Sequence, residues 1–537
     1  CSVGWNFRGI TLGWGALFFW AALLRFFISV WPEGGAQMGL WISLLLPFFW
    51  LLPNRPRIVQ SRAWWFINLP ILLMVLLILL HGYFPAFDVD SISYHMPSVA
   101  WLRNWNKLPL FQQRCENISV WFLWAGFEEF LSIPGLALDL PLYTGLLGTL
   151  LKLCSLVTIT SLLPHRAPGL RHLATFLLLI DDHFFFSGQN RFVFLNPSLI
   201  GLISLLGWCV WRSIRGRFSE IWSFIAILLA LPAVKLHGVY FSLGAGLGFA
   251  VAYCGRSGFK KKLSPPVVAE RFALLAACAL VVSVFVSHWV YGGSPLLPFS
   301  LGPFKAYMPN RGMELLENIG KNASFFSAAA NPIRRMIYPG NLALKIAVVF
   351  LFLLPFLTFG TWKIRGRYRP SPAWISLAFC NFFACLAWSV ISEYLRSQES
   401  RYPRYAMGLA ILGICGTALS LRRPLMNAVK AFIPNLHFRV WLARIDFLVG
   451  LALAAWLIFT IDTRYFNIPV PTRPTWKNII NFVSGTDTDS LNLGAPHMAS
   501  LMMPYVYEEI PKLKVCLAAE EKSSGIHLSR GDHLIIF

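Results

Sequence analysis

Residues Glu270–Val290 read ERFALLAACALVVSVFVSHWV: after one Glu-Arg pair, nineteen residues pass without Asp, Glu, Lys or Arg. About 20 apolar residues, rising about 1.5 Å each, cross the roughly 30 Å hydrocarbon layer of a bilayer. Arg256, Lys260, Lys261 and Lys262 stand in front of the stretch, and a Gly-Gly-Ser-Pro turn (Gly292–Pro295) follows it. This is the pattern of a membrane span with a cationic inner flank. Working outward, twelve more runs of the same kind appear, at 10–31, 37–53, 65–83, 141–163, 172–188, 198–212, 220–234, 238–254, 343–361, 372–391, 405–421 and 445–461. The runs at 198–212 and 220–234 are short. The latter meets its successor through Pro232, Lys235 and His237, so that pair fits a re-entrant or broken hairpin as well as two full spans.

Composition agrees. The 537 residues are 56% hydrophobic and 13% charged, half the charged share of a typical soluble domain. Phe, Trp and Tyr total 82 residues, which excludes a disordered chain. The expected fold class is therefore an all-α polytopic membrane protein of about 13 transmembrane helices.

Charge assigns sides. With the N-terminus inside, the cytoplasmic segments hold 23 cations against three acids (Glu220, Glu270, Asp446), and the rest holds 23 cations against 21 acids. Basic clusters fall on every second connection, as the positive-inside rule requires. The net +22 is thus inner-face anchoring and implies no nucleic-acid partner. The expected location is a bacterial inner membrane, N-terminus cytoplasmic and C-terminus periplasmic. The start at Cys1 reads as a chain that begins late, since a lipidated Cys1 would lie outside.

Three pieces fall outside: loops 84–140 and 291–342 and a tail over 462–537. The organisation read from this is two N-terminal helices (1–64), a transmembrane core with both loops (65–461), and the tail. The tail has turn-rich stretches and then strand-like runs at Lys514–Ala518 and His533–Phe537, which suit a small α/β cap. Seven of ten cysteines lie in or at the ends of spans, as small apolar fillers. Cys115 and Cys516, both outside, read as two free thiols ahead of a disulfide.

Chemistry points to the first loop, Phe84-Pro-Ala-Phe-Asp88-Val-Asp90-Ser-Ile-Ser-Tyr94-His95-Met-Pro97. From Ser93 to Trp105 the pattern suits an interfacial amphipathic helix, with Asp90 at its N-terminal cap. A cap alone explains one Asp. Two carboxylates beside Tyr94 and His95 at a membrane edge favour a site. Lys235, beside a helix-breaking proline, is costly in hydrocarbon unless it has a task or reaches the interface. Asp181-Asp182-His183 offers a divalent-ion or proton site, and equally a set of polar backbone partners.

The segment Asp90-Ser-Ile-Ser-Tyr94-His95-Met-Pro97, with Lys107-Leu-Pro109 after it, resembles the D-[AS]-[LIM]-x-Y-H-L-P signature of bacterial GT-C superfamily membrane glycosyltransferases. These are similar in architecture to protein O-mannosyltransferases and aminoarabinose transferases. Glu128-Glu129, Ala233-Val234-Lys235, Tyr291–Phe299 and Arg401-Tyr-Pro-Arg404-Tyr405 resemble further family segments in the same order, so the likeness covers roughly 65–420. Departures are two spans before the catalytic loop instead of one, Asn196 where relatives often carry Asp, and Gly293-Ser294 in place of Gly-Asn. They bear on any metal site and on the substrate.

The resemblance implies transfer of a sugar from a polyprenyl-phosphate donor to an acceptor on the outer face, with inversion. Asp90 matches the family's base, taking the acceptor's proton, with Asp88 as helper. Tyr94, His95, Glu128, Glu129, Lys235, Arg401 and Arg404 are the expected substrate-binding residues, the cations facing the phosphate. If a divalent metal is used, Asp88, Asp90 and Asp182 are its candidates. Expected partners are membrane lipids, the polyprenyl-phosphate donor, and a membrane complex docking on the tail. Walker, H-E-x-x-H and paired C-x-x-C motifs do not occur, which leaves ATP-driven transport and zinc chemistry unsupported. Two other readings stand beside the transferase: a transporter of lipid-linked substrates, and a catalytically silent scaffold subunit.

Overall fold

The computed structural model describes residues 7–30, 127–128, 130–131, 141–163, 168–179, 197–214, 221–235, 238–254, 265–295, 302–305, four positions between 448 and 455, and three short strands. The described part is predominantly helical. Its helices are α1 (Phe7–Val30), α2 (Pro141–Leu162), α3 (Pro168–Leu179), α4 (Pro197–Ile214), α5 (Ile221–Val234), α6 (Gly238–Cys254) and α7 (Val268–Gly292). Each falls on an apolar run read from the sequence. Two of them, α1 over Gly9–Phe27 and α7 over Val268–Trp289, are long and apolar enough to cross a membrane. Shorter apolar stretches are Leu150–Leu162, Ser198–Cys209 and Ile221–Val234. The expected spans at 37–53, 65–83, 343–361, 372–391 and 405–421 lie outside the described residues, and that at 445–461 is described only at isolated helical positions.

Helix ends follow from local chemistry. Pro265 and Pro266 cannot continue a helix backward, so α7 begins after them. The Glu270 carboxylate accepts the Val267 amide at 3.2 Å, satisfying one of the orphan donors of the first turn. At the other end Gly293 adopts φ 75°, and its amide closes on the Trp289 carbonyl at 3.0 Å. Helices α5 and α6 form a tight hairpin, one of the two arrangements the sequence left open. The helix α5 spans 14 residues, about 21 Å of rise, which is less than a bilayer core. Gly238 opens α6 so close to the Leu231 carbonyl that any Cβ there would overlap it. The hairpin is antiparallel: Phe224 stacks on Phe249 at 5.0 Å, and Ser242 donates to the Leu228 carbonyl at 2.9 Å.

Around this hairpin the helices close a ring. The helix α7 packs along α1 and α5, α5 along α4 and α6, and α4 along α2, which carries α3 and touches α1. Matched contacts fix one direction. Gly15 meets Ala273, Phe19 meets Phe272, and Arg25 reaches Ser287, so α1 and α7 run parallel. A Cβ on Gly15 would sit 2.9 Å from the Ala273 Cα, the close approach that small residues permit between apolar helices. The starting ends of α1, α5 and α7 are tied by one polar chain. Ser223 donates to Glu270 at 3.2 Å, and Thr11 lies 3.4 Å from Ser223. All three side chains are buried, where polar groups need such hydrogen bonds.

The three strands, β1 (Ser490–Leu493), β2 (Lys514–Leu517) and β3 (His533–Ile535), form a parallel sheet in the order β2-β1-β3. β2 and β3 fall on the two strand-like runs of the tail. The central strand, Ser-Leu-Asn-Leu, falls in a stretch read as turn-rich, because four alternating residues are too short a pattern to stand out.

Candidate functional site

Of the residues singled out above, the structure describes Glu128 and Lys235. Asp88, Asp90, Tyr94, His95, Glu129, Asp182, Arg401 and Arg404 lie outside the described residues, as does Cys115. Among the described residues no cluster of His, Cys, Asp or Glu is placed to hold a metal.

Glu128 is not on a solvated loop face. It is 3% exposed and belongs to a short helical piece whose neighbours Phe127, Phe130 and Leu131 are buried as well. The Ser198 hydroxyl, at the first turn of α4, donates to its Oε1 at 2.6 Å. Phe127 meets Phe18 of α1 edge-on, with centroids 6.0 Å apart. Phe130 lies under the Arg25 guanidinium, whose Cζ is 4.4 Å from the ring centroid. Part of the loop expected to lie outside is thus packed between α1 and α4.

Lys235 is half-buried and stands just past α5. Its amide still closes the helix on the Leu231 carbonyl at 3.1 Å, and its own carbonyl accepts the Gly238 amide at 2.8 Å. Backbone geometry, set by Pro232 and Gly238, therefore holds this lysine at the hairpin turn. Counted from the Thr11–Ser223 junction, Lys235 and Arg25 stand about 18 and 21 Å along α5 and α1. Lys235 and Glu128 are placed by different helices, α5 and α4.

Three polar features escaped the sequence reading. Arg25 is 4% exposed inside α1, where Nε donates to the Ser287 hydroxyl at 2.7 Å. Lys152 is 6% exposed in the middle of α2. The third is the set Trp14, Thr158 and Cys154. The indole donates to Thr158 at 3.0 Å, and Thr158 donates to the Cys154 carbonyl one turn back at 2.7 Å. The available signal for Arg25 and Lys152 was a lone cation inside an apolar helical run. For the Glu128 segment it was Val120–Phe127, an apolar octet leading into the two glutamates. Elsewhere, Arg171 caps α2 through the Leu163 carbonyl at 3.4 Å. Burial lowers its pKa from the ordinary arginine value, yet a guanidinium stays protonated at any physiological pH. Cys154, Cys209 and Cys278 form no disulfide.

No protein-family model, curated protein or solved structure matches this chain.

Proposed function

We propose that the chain is a polytopic membrane glycosyltransferase, moving a sugar from a polyprenyl-phosphate donor to an acceptor at the outer face. Asp90 acts as base, Asp88 assists it, and Tyr94 and His95 orient the acceptor. Lys235, Arg401 and Arg404 meet the donor phosphate. The GT-C-like segment Asp90–Pro97 supports the chemistry. The observation that carries the reading is the burial of Phe127, Glu128, Phe130 and Leu131 against α1 and α4. A loop that must hold a base at a fixed distance from a membrane-bound donor needs such an anchor, because a misplacement of about 1 Å costs roughly a hundredfold in rate. Arg25 lies level with Lys235, so the outward ends of α1 and α5 both carry a cation. Charge on the loops supports a cytoplasmic N-terminus and a periplasmic tail.

The test is sugar transfer in proteoliposomes supplied with a polyprenyl-phosphate-linked sugar and candidate acceptors. Asp90→Asn is expected to lower transfer by about 100-fold or more, the usual worth of a general base, with folded protein unchanged. Undiminished transfer by Asp90→Asn contradicts the assignment. Movement of donor across the vesicle without a new glycosidic bond identifies a transporter instead.

A further inference from the structure

We propose that one face of α7 is a gauge that seats the bundle in the bilayer, its two ends engaging anionic lipid headgroups through Arg271 and Lys305. Along α7 the exposed positions from Arg271 onward are Arg271, Leu275, Cys278, Val282, Phe285 and Trp289. The steps alternate between four and three residues, which keeps all six on one stripe of a helix. The stripe opens on a cation, carries only apolar side chains through its middle, and closes on an indole. From Arg271 to Trp289 the helix rises about 27 Å, close to the roughly 30 Å of a hydrocarbon layer. Arg and Trp both settle at that boundary, because each joins an apolar body to a polar tip.

Each end is built to hold its charge beside the boundary. At the start of α7, Arg271 donates Nε to the Pro266 carbonyl at 2.9 Å, which draws the exposed guanidinium back along the helix, away from the apolar stretch. At the far end Gly293 closes the helix, and Gly302, at φ 55°, again takes the left-handed backbone. Phe304 then lies edge-on against Trp289, with centroids 5.6 Å apart. Lys305 follows it and is exposed, as is Pro303. An aromatic pair with a lysine beside it presents an apolar surface to the acyl chains and a charge to the phosphates.

Lipid fits this stripe better than a partner helix does. Helices in membranes meet through small residues, and α7 turns its small ones, Ala273, Ala276 and Ala277, to the α1 and α5 side. The stripe offers Leu275, Val282, Phe285 and Trp289 instead.

The inference rests on α7 crossing the bilayer and not on sugar transfer: an active Asp90→Asn protein would leave it intact. The full chain, without its other native thiols, is spin-labelled at Leu275→Cys, Cys278, Phe285→Cys or Pro303→Cys and placed in phosphatidylcholine vesicles. Collision with oxygen, which dissolves in acyl chains, is compared with collision with a water-soluble nickel chelate. Oxygen is expected to dominate most at Cys278 and less at Leu275→Cys and Phe285→Cys, with the chelate reaching Pro303→Cys. Shielding of the stripe from both reagents, as a partner helix or second copy would give, overturns the proposal. So does chelate contact along its whole length.

The headgroup ends are read with a fluorophore on Pro303→Cys or Val268→Cys, quenched by brominated phosphatidylglycerol or brominated phosphatidylcholine. Stronger quenching by the anionic lipid is expected at both sites. Lys305→Gln should reduce that preference at the first site and Arg271→Gln at the second, each by up to about fivefold, while Lys305→Arg keeps it. Equal quenching by the two lipids in the parent, or a preference that survives both glutamine variants, overturns the headgroup assignment.

Discussion

Helices α1 and α7 are nearly equal in length, at 24 and 25 residues, and they lie parallel in close contact. Their surroundings differ sharply. In α1, 72% of the apolar window is buried, against 33% in α7. Over those windows α7 is nevertheless the more apolar of the two. It exposes Val268 and, one heptad on, Leu275, Cys278, Val282, Phe285 and Trp289, these last five spaced by threes and fours along one face, while its opposite face buries Ala273, Ala276, Ala277 and Leu280 against α1 and α5. In water the greener choice for exposure would be the less apolar helix, since large exposed apolar patches drive association. The reverse order makes sense where the solvent is hydrocarbon: the most apolar helix then belongs on the outside. Polar side chains instead collect inside, where Thr11 and Glu270 both meet Ser223 and, further along, Arg25 meets Ser287.

Substitutions on the two helices sharpen the contrast. The largest effect is expected at Trp14, which is 1% exposed and donates to Thr158. Trp14→Ala should cost about 3–5 kcal/mol, read as a lowered unfolding midpoint in detergent. Gly15→Ala should cost about 1–3 kcal/mol, because the added methyl meets the Ala273 backbone of α7. That loss would override the gain of up to about 1 kcal/mol that alanine normally brings to a helix. The smallest effect is expected on the open face of α7, where Leu275 is 69% exposed. There Leu275→Ala should stay within about 0.5 kcal/mol of the parent. A large loss at Leu275 with a small one at Trp14 would invert the inside and outside assigned to this bundle.

Much of this arrangement was legible in the chain. Every described helix lies on an apolar run, and Pro232 with Lys235 marked the break that becomes the α5–α6 turn. Pattern could not show which helix is central, because α1 and α7 carry similar apolar runs and only contacts separate them. Glu128 stood out as a residue, but its surroundings did not. The apolar octet before it is less than half a span, so the stretch read as loop, and its burial depends on Phe18, Arg25 and Ser198, which are remote in sequence. Arg25 and Lys152 were hidden for the opposite reason: each sits in a run long enough to pass as a span despite one cation. The motif residues Asp88 and Asp90 remain a sequence inference, lying outside the described residues.

The central claim is that α1 and α7 both cross the membrane outward from the cytoplasm. Single cysteines at Arg8, Arg271 and Lys305, in a background without the native thiols, are exposed to a membrane-impermeant thiol reagent in right-side-out vesicles. The account predicts labelling of Lys305→Cys at once, and of Arg8→Cys and Arg271→Cys only after lysis. Equal labelling of Arg271→Cys and Lys305→Cys in intact vesicles would contradict it, since α7 would then not cross.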